Sequence, residues 1–75
     1  MIFLIQRIEQ QLRSERLYKC LAQRERNEGH PERVAEYEAL ALKNGAHAVR
    51  LFNTADEEFR PLIRQQLRGF IQELS

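Results

Sequence analysis

The sequence predicts an all-α fold: one domain over residues 1–75, arranged as an antiparallel three-helix bundle with helices at about residues 2–26, 31–53 and 55–74. Three observations carry this expectation. Leu, Glu, Gln, Arg and Ala dominate the composition, and these side chains lose least on entering a helix. Only three Gly and two Pro interrupt the 75 residues, and turn-forming residues cluster at two places, 27–31 and 53–56. Between those breaks, apolar residues recur at spacings of three and four. A chain of this length buries only about 60% of its unfolded surface, so a single core is expected, with room for a homodimer to supplement it.

In the first helix Ile5, Ile8 and Leu12 stand at helical spacing, and a five-residue step then leads to Leu17, Tyr18, Leu21 and Ala22. The step carries the apolar face round the cylinder. The helix is therefore expected either to be locally irregular or to meet different neighbours along its length. Asn27, Glu28 and Gly29 end it, since Gly accepts the left-handed conformation that closes a helix. Pro31 then opens the next helix at its first position, with His30 placed to cap it. So short a connection makes the two helices antiparallel neighbours.

Val34, Tyr37, Leu40, Ala41, Ala48, Leu51 and Phe52 fall within about 120° of arc at 100° per residue. The stripe keeps its phase across Asn44 and Gly45, which predicts one unbroken helix there. Gly45, with Ala41 and Ala48, then marks a thin place where a facing helix comes close. The third helix opens on Thr54-Ala55-Asp56-Glu57, which reads as a capping box. Asp56, Glu57 and Glu58 also suit the positive end of a helix dipole. Phe59, Leu62, Ile63, Leu67, Phe70, Ile71 and Leu74 continue the period, and Pro61 is expected to bend the helix or tighten its first turn without ending it.

Twelve basic and eleven acidic residues leave a formal charge of +1, far from the balance of an electrostatic nucleic-acid binder. Nucleic acid is not expected as a partner. Cys20 is the only cysteine, so no internal disulfide can form, and its simplest reading is a small buried hydrophobe. The opening run from Met1 to Ile5 is too short to span a bilayer and lacks the basic leader of a secretory signal, which makes a cytoplasmic location the default. There is no paired-cysteine motif, phosphate loop or His-Glu-x-x-His, and Ser14 and Thr54 lack a histidine beside them in sequence. No enzyme, metal site or cofactor is expected.

Function is expected to lie on the surface. The residues from Met1 to Ile5 point at successive angles and cannot all face one core, and Leu17 and Leu21 fall away from Ile5, Ile8 and Leu12. Contiguous exposed apolar surface usually marks a binding face. Arg60, Arg64 and Arg68 form an i, i+4, i+8 ladder whose mutual repulsion needs compensation, from carboxylates such as Glu9, Glu32 or Glu36 or from an acidic partner. The chain is therefore read as a small non-enzymatic interaction module, an adaptor, chaperone-like subunit or inhibitor. Its expected partner-binding residues are Ile2, Phe3, Leu4, Leu17, Leu21, Arg60, Arg64 and Arg68. Its partner is another protein, or a second copy paired through the first helices. The alternative is a helix-turn-helix over about residues 38–53, turning at Gly45 and reading DNA with Arg50 and Asn53. Unbroken apolar phase and polar Asn44 stand against it.

Overall fold

Gly29 is where the chain doubles back. Its φ of 77° lies in the left-handed region, and the amides that follow are closed by His30 N–H donating to the Glu25 carbonyl at 2.9 Å and Gly29 N–H to the Arg26 carbonyl at 3.2 Å. This is the two-bond closure of a glycine-terminated helix. In the computed structural model, which describes residues 2–74, it joins α1 (Ile2–Glu28) to α2 (Pro31–Asn53), packed against each other as an antiparallel hairpin. Met1, part of the apolar opening run, and Ser75 lie outside the described residues. Pro31 occupies the first turn of α2 as expected, but His30 makes no cap; its ring instead reaches back to Glu25.

α2 runs unbroken through Gly45. The turn that a helix-turn-helix needs at that residue is therefore absent. The reason for the glycine is visible in the facing helix: a Cβ on Gly45 would stand 1.9 Å from Oε2 of Glu15. The close approach expected at Gly45 is thus made by a side chain of α1, not by its backbone.

The third segment departs from the expected single helix over 55–74. It is a 3₁₀ turn (Glu57–Phe59), α3 (Arg60–Gln66), a second 3₁₀ turn (Arg68–Phe70) and the one-turn α4 (Ile71–Leu74). Pro61 sits in the first turn of α3, where its missing N–H costs nothing, and the tightened turn before it is the form expected. The second break has a different origin. Gly69 weakens the helix by about 1 kcal/mol relative to Ala, and its carbonyl accepts from the Arg16 guanidinium. The capping box is not formed either. Thr54 stays in the α region as the residue closing α2, and its hydroxyl donates back to the Leu51 carbonyl at 2.6 Å, leaving Asp56 at the start of the next turn with no side-chain cap.

The apolar core gathers at the open end of the hairpin. Ile8 and Leu12 of α1, Ala48 and Phe52 of α2, and Ala55, Ile63, Leu67 and Leu74 form one buried cluster, with Leu4, Ile5, Leu51 and Phe70 packed against it. The broken third segment covers this end and is tied to α1 at Arg16, which bonds Glu73. Beyond it, the hairpin continues toward Gly29 as a bare pair of helices. The molecule is accordingly a rod, 46 × 19 × 18 Å.

Candidate functional site

Along the bare arm, α1 meets α2 through Glu15, Tyr18, Ala22 and Glu25, a 3-4-3 continuation of the positions of Leu4 and Ile8. This resolves the rotating face of the first helix: α1 is continuous and changes neighbours along its length. Tyr18 stacks on Tyr37 with ring centroids 6.1 Å apart, and Arg26 binds Glu38. Glu25 is almost fully buried; its carboxylate accepts from His30 Nδ1 at 2.7 Å, with Arg33 at 3.7 Å and Arg24 at 4.0 Å. The hydrogen bond from His30, aided by the two guanidiniums, holds its carboxyl below the ordinary glutamate value. Glu28 and His30 complete a trio with Glu25 whose ligand atoms lie within 4.8 Å of one another. The arginines beside it already neutralise Glu25 and oppose a cation there, so the trio reads as a lock on the turn.

Glu15 has no such support. Its Oε1 is buried and lacks a hydrogen-bond partner among the described residues. It stands at the head of a groove of about 420 Å³ that runs between the helices past Lys19, Ala22, Arg26, Glu38, Ala41 and Leu42. The groove begins where the third segment stops.

The residues expected to bind a partner are dispersed. Ile2 and Phe3 are exposed, at 69% and 78%, and Leu17 at 57%. Phe3 and Leu17 are fourteen residues apart, close to four turns, so they share the outer side of α1. Leu4 is half-buried against the core and Leu21 is half-buried on the arm. Ile2, Ile5, Gln6, Leu62 and Gln66 line a shallow, mostly apolar depression of about 300 Å³ between α1 and α3.

The three arginines do not form a ladder on one helix, because α3 ends at Gln66 and Arg68 lies in the following 3₁₀ turn. Nor, among the described residues, does a carboxylate pair with any of them. Arg60 donates to the carbonyls of Ala55 and Asn53, each at 3.2 Å, and Arg60 and Arg64 lie over the Phe52 ring at 5.9 and 5.0 Å. Arg60 thereby closes the end of α2, where unpaired carbonyls favour a cation. Arg68 is exposed.

Some positions escaped the apolar spacing. Cys20 is exposed, not buried, because residue 20 falls on the side of α1 away from Ile8, Glu15 and Ala22. Leu40 is likewise exposed. Arg16 lies among interleaved Arg and Glu residues of α1, yet it bonds Glu73 at 2.9 Å and the Gly69 carbonyl and lies 4.0 Å over Phe70. No signal within α1 marks it.

No family model, curated protein or solved structure matches the chain. Its own surface is therefore the whole basis for a functional reading. Among the described residues no helix is long and apolar enough to cross a membrane.

Proposed function

We propose that this chain is a non-enzymatic protein-protein interaction module, of the adaptor, chaperone-like or inhibitor kind, that presents the outer side of α1 and the adjoining edge of α3 to another protein. The observation that carries the reading is the exposure of Ile2, Phe3 and Leu17 on a helix whose other side is occupied by the core. Large apolar side chains left in water at this density mark a surface that gains from being covered. The depression lined by Ile2, Ile5 and Leu62 is suited to an apolar anchor, and Arg68, beyond the end of α3, offers a planar donor to an acidic rim. Two groups with catalytic potential are engaged elsewhere: the Thr54 hydroxyl on a backbone carbonyl and the His30 ring on Glu25.

Charge substitution tests it. Phe3→Glu and Leu17→Glu should leave helicity unchanged, since neither side chain packs in the core, and should remove proteins that the wild-type chain retains from its native lysate. Equal retention by wild type and double variant would defeat the reading.

A further inference from the structure

α2 carries a second apolar stripe that neither α1 nor the third segment covers. Ala35, Ala39, Leu42, Ala46 and Val49 follow one another at spacings of four, three, four and three, the repeat of a helix-pairing seam. All five are exposed, Leu42 at 74%. The stripe is separate from the Ala41, Ala48 and Phe52 side that faces α1, and it runs for about 21 Å along the helix. Three alanines among five positions allow a partner helix to approach closely.

The charges beside the stripe say what fits it. Glu36, Lys43 and Arg50 each follow a stripe residue, at intervals of seven, and line one edge. Glu32 adds to the acidic end. Among the described residues, Glu32, Glu36, Lys43 and Arg50 enter no ion pair, whereas Arg33 and Glu38 are already paired to α1. One end of the edge is thus acidic and the other basic. A helix with the same polarity laid antiparallel brings Glu36 to Arg50 twice, once at each end, and the two helix dipoles also oppose. Lys43 then falls near the two-fold axis, where its long stem lets the two ammonium groups diverge.

From this self-complementarity we infer that a second copy of this chain packs its α2 antiparallel on this face, making a two-fold dimer. This differs from the pairing through first helices expected from the sequence. It leaves Phe3 and Leu17 of both copies free, so the inference stands or falls apart from the function proposed above.

Sedimentation equilibrium over a concentration series tests it. The wild-type chain should approach twice its monomer mass, and Leu42→Glu, at an exposed position, should remain monomeric with unchanged helicity. Glu36→Arg or Arg50→Glu alone should weaken dimerisation on the order of tenfold, because each turns two attractions into two repulsions. Combining both substitutions in one chain should restore it, since the exchanged charges again meet their opposites in antiparallel register. A wild-type chain that stays monomeric at the highest concentration overturns the inference. So does a dimer indifferent to Leu42→Glu, and a dimer abolished only by Phe3→Glu would place the interface on α1.

Discussion

Glu15 and Gly45 are the residue pair on which the bare arm closes. The glycine removes a Cβ and the carboxylate fills the space, but one of its oxygens is left buried without a donor among the described residues. A buried polar atom in that condition costs roughly 1–3 kcal/mol. Glu15→Leu should therefore raise the stability of the chain by about that amount, read as an upward shift of the urea midpoint at unchanged slope. A lowered midpoint would show that the carboxylate holds the arm together through a partner it finds in solution. Neither feature of Glu15 could be read from spacing. A glutamate in a helix rich in Glu and Arg reads as surface, and only the position of Gly45 opposite it shows otherwise.

At the scale of elements, the two long helices were legible and the third was not. α1 and α2 are specified locally, by Gly29, Pro31 and a stripe that holds phase through Gly45. The third segment is shaped by contacts to the helices before it, those of Arg16 from far away in sequence. Arg16 draws on the Gly69 carbonyl and on Glu73, and Arg60 turns toward the end of α2, so a run with helical spacing breaks into short pieces. The glutamates at the α1 positions facing α2 hid that seam in the same way, because an apolar period skips them. The pin at Arg16 has a pH signature. Its hydrogen bond to Glu73, more than the opposing effect of burial, holds that carboxyl below the ordinary value of 4.5. A lowered folded-state pKa contributes stability that is full above the unfolded value and is lost as pH falls through the folded one. Glu25, lowered chiefly by His30, acts in the same direction. Urea stability should thus decline as pH drops below 4.5, and Glu73→Gln should make that decline shallower. A decline of equal steepness in the variant would show that Glu73 titrates alike in folded and unfolded chains.

The whole molecule is a hairpin with a core at one end only. The sequence announces the helices and the surplus of apolar surface, and the structure divides that surplus between α1 and the alanine-rich face of α2. The latter was missed because its residues are mostly alanines, which read as helix formers before they read as a face. A two-helix arm with polar groups in its seam opens more readily than a three-layered end. Amide hydrogen exchange, at a concentration below self-association, measures this division directly. The slowest amides are expected around Ile8, Leu12, Ala48, Phe52 and Ile63, with residues 17–43 exchanging through separate, easier openings. Uniform protection along the full length of α1 and α2 would contradict a core confined to the open end of the hairpin.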